Sequence, residues 1–256
     1  MKIQQIRNAT TRIDYGGVRF LIDPYLAEKE SQPGFPGTVN NELRNPRVAL
    51  PVPVEALLDV DAVIVTHTHE DHWDEAARNL LPKTLPIFVQ NGSDRDLISG
   101  AGFADVRVLD QKTTFNGVSL IKTPGQHGSD ADYEKIGDIL GDVCGVVFRH
   151  PDEKILYLAG DTIWNQYVED NLKTYTPDIV IVNSGDARAL VTGPIIMDKQ
   201  DVVQVCRAAP KAKVVTSHME AINHCTLSRA ELRAFLKEKG LIEQVHVAED
   251  GEVIEF

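Results

Sequence analysis

Hydrophobic residues fall along this chain in short runs separated by polar turns, and strand-like spacing alternates with helical spacing. The segments 2–6 and 10–15 flank a short turn, and Gly16-Gly17 then leads into 18–22. Two glycines between β-rich runs signal a hairpin, because glycine reaches positive φ without steric cost. The third strand stops at Asp23-Pro24, where proline ends ladder pairing. Residues 24–53 hold six of the 13 prolines and no period, which predicts a long irregular loop of the kind that carries function. The apolar run within 61–66 reads as a strand buried on both faces. Further strands are expected at 87–89, 106–109, 118–122, 145–149, 155–159, 179–182 and 213–216. Helices are expected at 74–81, at 93–99 with Ser93 as N-cap, at 200–208, and from the capping box Ser228-Arg229-Ala230-Glu231 to Gly240. The tail reads as a hairpin, 244–248 and 252–254, around Asp250-Gly251. No repeat or composition break divides the chain, so residues 1–256 are expected to form one α/β domain.

Composition narrows the class. Hydrophobic residues make up 43% and charged residues 25%, which excludes disordered and collagen-like chains. The 26 basic and 38 acidic side chains leave a net charge of −12, against nucleic acid as a partner, since phosphate binding needs clustered Lys and Arg. No stretch is long and apolar enough for a membrane span, and no basic-then-apolar leader opens the chain. Three widely spaced cysteines, Cys144, Cys206 and Cys225, fit a reducing compartment, and a cytoplasmic protein is expected.

The chemistry concentrates in His67-Thr68-His69-Glu70-Asp71-His72, directly after the buried strand. On extended backbone His67 and His69 share one side, while Asp71 and His72 come as the chain turns into the next helix. A single histidine is most simply a hydrogen-bonded core residue. Four nitrogen and oxygen donors on one strand-end loop make little sense as packing, and they are the donors that borderline divalent metals prefer.

The spacing His67-x-His69-x-Asp71-His72 resembles the signature of the metallo-β-lactamase superfamily of metal-dependent hydrolases. The later stations of that family also have counterparts here: His127 in Thr123-Pro124-Gly125-Gln126-His127-Gly128, Asp161 in Ala159-Gly160-Asp161-Thr162, and His218 in Thr216-Ser217-His218. The resemblance implies a four-layer αββα sandwich with two metal positions. His67, His69 and His127 would hold one divalent ion and Asp71, His72 and His218 the other, with Asp161 bridging them. Zn²⁺ is the first expectation for both, and Mn²⁺ or Fe²⁺ also suit the donors. The activity implied is hydrolysis by a metal-bound hydroxide, with Asp71 taking part in catalysis as well as ligation.

Other residues have two readings. Asp23 stands where the family often places a carboxylate behind a ligand imidazole, and it is also a natural turn residue before Pro24. His224, six residues beyond His218, is a candidate pocket residue or proton donor, or a loop histidine. Glu220 reads as solvated first, with an acceptor behind a ligand as the alternative, and His150 and His246 as structural. Phe35 in the segment 31–37 and Tyr133 in 128–133 are candidate substrate-binding residues, or members of solvated loops.

Within the superfamily the chain is similar to ascorbate-phosphate lactonase relatives and, through Arg7-Asn8-Ala9-Thr10 and the run from His218 to His224, to bacterial isothiocyanate hydrolases. The expected partner is a small electrophile, an isothiocyanate first, with lactones and phosphodiesters as alternatives and a homo-oligomer left open. His69 disfavours the di-iron redox members, which usually carry glutamate there. The full set of donors disfavours a non-catalytic metal-binding module.

Overall fold

The computed structural model describes residues 1–256. Its first half lays down β1 (Lys2–Arg7), β2 (Thr10–Tyr15), β3 (Val18–Ile22), α1 (Glu55–Leu58), β4 (Ala62–Val65), α2 (Glu75–Leu80), β5 (Ile87–Val89), α3 (Gly92–Gly100) and β6 (Val106–Val108). The second half follows with β7 (Thr114–Phe115), β8 (Val118–Pro124), α4 (Asp130–Leu140), β9 (Cys144–Arg149), β10 (Leu156–Leu158), α5 (Gln166–Tyr175) and β11 (Ile179–Asn183). The chain ends with α6 (Lys199–Ala208), β12 (Lys213–Ser217), α7 (Arg229–Glu238), β13 (Val245–Val247) and β14 (Val253–Glu255).

Two seven-stranded sheets result, ordered β14-β1-β2-β3-β4-β5-β6 and β13-β12-β11-β10-β9-β8-β7. Each combines an antiparallel meander with parallel strands, β3 to β6 in one and β10 to β13 in the other. Parallel neighbours need a crossover, which helices such as α2, α5 and α6 supply, and the helices then cover the outer face. Strands β4, β5 and β11 are therefore buried along their whole length.

The inner faces of the two sheets meet in a core that includes Ile13, Phe20 and Phe88 from one and Leu120, Phe148 and Ile181 from the other. Phe20 and Phe148 pack edge to face across the sheets, ring centres 5.5 Å apart. Two further cores lie outside, one joining Trp73, Ala77 and Ile98 to the first sheet, the other joining Val168, Val202 and Leu232 to the second. The order of layers is helix, sheet, sheet, helix, as the resemblance implied.

The structure corrects four local readings. The tail is no hairpin: β13 pairs with β12 in the second sheet and β14 with β1 in the first, so Asp250-Gly251 carries the chain from one sheet to the other. The N-cap of α3 is Asn91, whose side chain accepts from Asp94 N, and not Ser93. Helices α4 and α5 lie in segments where the apolar pattern predicted none. Glu220 is not simply solvated, since it accepts from Arg229 Nη1 at 2.7 Å and Arg229 N at 3.1 Å.

Candidate metal centre

The His67–His72 loop leaves the C-terminal end of β4 and is pinned at both ends. Trp73, fully buried, anchors it in the outer core. Asp74 caps α2 by accepting from Ala77 N, and its other oxygen accepts from Leu26 N and Ala27 N, tying in the segment that follows β3. His72 N and Trp73 N both donate to His69 O at 2.9 Å, a turn that folds the loop back so that the His72 ring centre lies 4.0 Å from that of His67.

The other donors arrive from the second sheet, each just past the C-terminal end of a strand: His127 after β8, Asp161 after β10 and His218 after β12. Asp161 follows Gly160 at φ +71°, where a Cβ would come within 2.3 Å of Cys144 O, so only glycine fits the turn. His218 N donates to Asn8 O at 2.8 Å, which docks the end of β12 against the β1–β2 turn.

These residues converge. His67, His69 and His127 form one group whose ligand atoms all lie within 4.8 Å of one another. Asp71, His72 and His218 form another, and Asp161 joins His67 and His72 in a third. Asp161 Oδ2 sits in the middle, 3.2 Å from His72 Nε2, 3.6 Å from His218 Nε2, 3.7 Å from His127 Nε2 and 3.9 Å from His67 Nε2. Its other oxygen accepts from Asn183 Nδ2 at 2.7 Å, which fixes which oxygen faces the cluster.

Each histidine also has an outer contact that orients its ring. Asp23 Oδ2 lies 3.0 Å from His72 Nδ1, and the same carboxylate accepts from Thr66 N and Thr66 Oγ1. The Ile195 and Ile139 carbonyls accept from His127 Nδ1 at 2.6 Å and His69 Nε2 at 2.9 Å. Thr66 Oγ1 lies 3.2 Å from His67 Nδ1, and Cys225 Sγ 3.4 Å from His218 Nδ1. Such partners set the tautomer, leaving the opposite nitrogen free to ligate.

The protein's charges show what the cluster lacks. Burial opposes a charge on His72, yet Asp161, Asp71 and Asp23 outweigh it and lift its pKa to about 10. His218 is raised in the same way, its burial overcome chiefly by Asp161. Burial works against the Asp71 and Asp161 carboxylates too, but the neighbouring imidazoles hold both well below the usual range. Burial dominates at His67 and His127, lowering His67 well below the ordinary value and His127 to about 4. Two carboxylates thus demand positive charge inside a ring of imidazoles, with His72 Nε2 and His218 Nε2 only 3.1 Å apart. Divalent cations fit that demand and that donor set, displacing the imidazole protons on binding.

A cavity of about 480 Å³ opens onto the cluster, with His69, Asp71, His127 and Asp161 at its floor. Its walls are mostly apolar: Phe35, Pro36, Ile136, Ile139, Leu140, Leu190, Val191 and Ile195, and no lysine or arginine lines it. His224 lines it as well, buried and edge-on to Phe35 with ring centres 5.3 Å apart. Burial pushes the His224 pKa down to about 4, so its imidazole is neutral at pH 7.

Of the two expected substrate residues, the structure brings only Phe35 to this cavity. Tyr133 turns away, its hydroxyl donating to Gly141 O at 2.7 Å and accepting from His127 N at 3.4 Å. Burial also pushes the Cys225 thiol up, leaving a protonated contact for His218 and no thiolate nucleophile. His246 pairs with Glu252 and His150 sits against Gly16, both apart from the cluster. Sequence reasoning used Asn8 only as part of the resemblance and missed its contact with Asp71, and it missed Asn183 and the two isoleucine carbonyls altogether. The carbonyls left no signal, because any residue could supply them.

A profile of the beta-lactamase superfamily domain matches residues 18–219, a span that contains every donor from His67 to His218. The chain belongs to this superfamily and is a metal-dependent hydrolase. It is 50% identical over 257 residues to UPF0173 protein YddR of Bacillus subtilis, spanning 100% of both proteins. Among solved structures it is similar to an isothiocyanate hydrolase from Delia radicum gut bacteria, at 51% identity and a TM-score of 0.98, with 100% of this chain and 99% of that one covered. A possible metal-dependent hydrolase from Veillonella parvula matches at 43% identity and a TM-score of 0.97, over 99% of this chain and 98% of the other.

Proposed function

We propose that this hydrolase acts on small uncharged electrophiles, isothiocyanates first, at a centre of two divalent metal positions that share Asp161. His67, His69 and His127 make one position and Asp71, His72 and His218 the other, with zinc the first candidate. The observation that carries the reading is the apolar cavity opening directly onto the donor cluster. Its walls suit a hydrocarbon tail, and the absence of a basic side chain there gives a phosphodiester no countercharge beyond the floor. The 51% identity to an isothiocyanate hydrolase adds support.

Metal ions at these positions would supply Lewis-acid polarisation and water made acidic enough to attack near neutral pH. The residues do the rest. Asp161 and the imidazoles hold the floor in register through their outer contacts. Asp71, ionised and 3.1 Å from His218 Nε2, is placed to hold a proton of the attacking water. Neutral His224 and Phe35 face the substrate tail, with the imidazole offering a hydrogen bond to a developing nitrogen or sulfur. Hydrolysis adds the water oxygen to the central carbon of R–N=C=S and its proton to nitrogen. The resulting thiocarbamic acid passes its remaining acidic proton to nitrogen as the C–N bond breaks, leaving a primary amine and carbonyl sulfide.

The test is a panel of aryl and alkyl isothiocyanates, lactones, phosphodiesters and β-lactams with zinc-loaded protein, read by amine release or ring opening. Isothiocyanates should be hydrolysed with the highest kcat/KM. Preference for a phosphodiester or lactone would overturn the substrate assignment while leaving the metal centre intact.

A further inference from the structure

We propose that Asn8 is a positioning residue for the second metal position, setting where Asp71 and His218 stand relative to each other. The inference rests on the reading that Asp71, His72 and His218 hold a divalent ion. Asp71 comes from the loop after β4 in the first sheet and His218 from the end of β12 in the second. No ladder hydrogen bond joins those strands, which belong to different sheets. Asn8 joins their ends from a third segment, the β1–β2 turn, where it is fully buried at φ +54°.

Both ends of the residue are used. Its backbone carbonyl accepts from His218 N at 2.8 Å, Ser217 Oγ at 2.9 Å and Gln5 Nε2 at 2.9 Å. Its side-chain Nδ2 donates to Asp71 O at 3.0 Å and Asp71 Oδ2 at 3.3 Å, and lies 3.4 Å from His218 Nε2. The turn explains the backbone conformation, which asparagine tolerates, but it does not explain the amide. Only one amide orientation suits this place, because turning it over would set Oδ1 against the Asp71 backbone carbonyl, acceptor against acceptor. That orientation leaves Oδ1 buried with no partner, so the donor contact to Asp71 is kept at the expense of an unsatisfied carbonyl.

His218 depends on this bracket more than its neighbours depend on theirs. The other four rings meet a carboxylate, a carbonyl or a hydroxyl at 2.6–3.2 Å. The outer nitrogen of His218 meets only a thiol sulfur at 3.4 Å, a weak partner. Its placement therefore rests on its backbone, and Asn8 O holds that backbone.

The test is zinc titration of the full-length metal-free protein against a competing chromogenic chelator, with far-UV circular dichroism to check the fold. Asn8→Gly deletes the amide while keeping the positive φ and the carbonyl. Asn8→Asp keeps the side-chain shape and sets a carboxylate against Asp71. The parent should take up two ions per chain. Asn8→Gly should bind the first with parental affinity and the second ~10–100-fold more weakly, the range expected when an outer contact of a metal ligand is lost. Asn8→Asp, which adds a carboxylate beside the second position, should change the second affinity and leave the first at the parental value. Parental affinity for both ions in both variants, or equal weakening of both ions, would overturn the role of Asn8. A parent that takes up only one ion would overturn the two-position reading beneath it.

Discussion

Replacing Asp23 by Asn changes one atom in a buried carboxylate, and the surrounding donors determine the result. Oδ1 accepts from Thr66 N at 2.7 Å, while Oδ2 accepts from Thr66 Oγ1 at 2.8 Å and sits 3.0 Å from His72 Nδ1. All three groups are buried. An amide with its oxygen toward Thr66 N points its NH₂ at His72 Nδ1, and the ring must then carry its proton on Nε2, facing the cluster. The reverse orientation sets NH₂ against the Thr66 N–H. Either way a buried donor loses its acceptor, at about 1–3 kcal/mol. In the first arrangement the ligating lone pair of His72 is also blocked. Loss of an outer contact lowers metal affinity ~10–100-fold, about 1.4–2.7 kcal/mol. Asp23→Asn should therefore bind zinc that much more weakly at the position containing His72. Isothermal titration into metal-free protein, with thermal unfolding of the unloaded form alongside, would measure both effects. Parental zinc affinity in Asp23→Asn would refute the argument that this carboxylate sets the tautomer of His72.

Three further outcomes follow from the same structure. His69→Ala and Asp161→Ala should each lose at least ~10²-fold in kcat/KM yet still fold and, metal-free, unfold cooperatively, because the inter-sheet core contains neither residue; turnover near the parental rate in either would exclude the assigned roles. Phe35→Ala should raise KM for an aryl isothiocyanate about tenfold (about 1.4 kcal/mol of lost apolar contact) with metal content unchanged, whereas unaltered kinetics would place the substrate elsewhere. The His224 pKa is depressed from 6.5 to about 4, so its neutral form stabilises the fold fully above the unfolded value, and that contribution is lost as pH falls toward 4. The kcat/KM profile should accordingly show no His224 inflection above about pH 6, and one that disappears in His224→Gln would contradict a neutral imidazole.

The site was more legible in the sequence than the fold details, for physical reasons. His67, His69, Asp71 and His72 are neighbours along the chain, so one loop reveals them, whereas His127, Asp161 and His218 are scattered and were reached through the resemblance, as counterparts of the superfamily's later stations. The partners behind the histidines are harder to read. Asp23 carries a side-chain signal, but the Ile139 and Ile195 carbonyls carry none. Helix α5 offered a cue that was missed: Asn165 caps it, with Val168 and Leu172 spaced one turn apart on the buried side. Helix α4 had little to offer, with an acidic first turn, a glycine and non-helical backbone at Ile136. Its position decided Tyr133 as well, since the helix turns that hydroxyl toward Gly141 and not into the cavity. The closing hairpin failed because a turn signal is local. Val245 and Val253 flank such a turn, yet one pairs with Val214 and the other with Gln4, in different sheets.

The central claim is that seven side chains from both sheets hold two metal ions around one carboxylate oxygen. Anomalous X-ray diffraction at the zinc edge from crystals of the zinc-loaded protein tests it most directly. The account predicts two peaks flanking Asp161 Oδ2, one within bonding distance of His67, His69 and His127 and the other of Asp71, His72 and His218. A single peak, or peaks bound by any other set of residues, would contradict it.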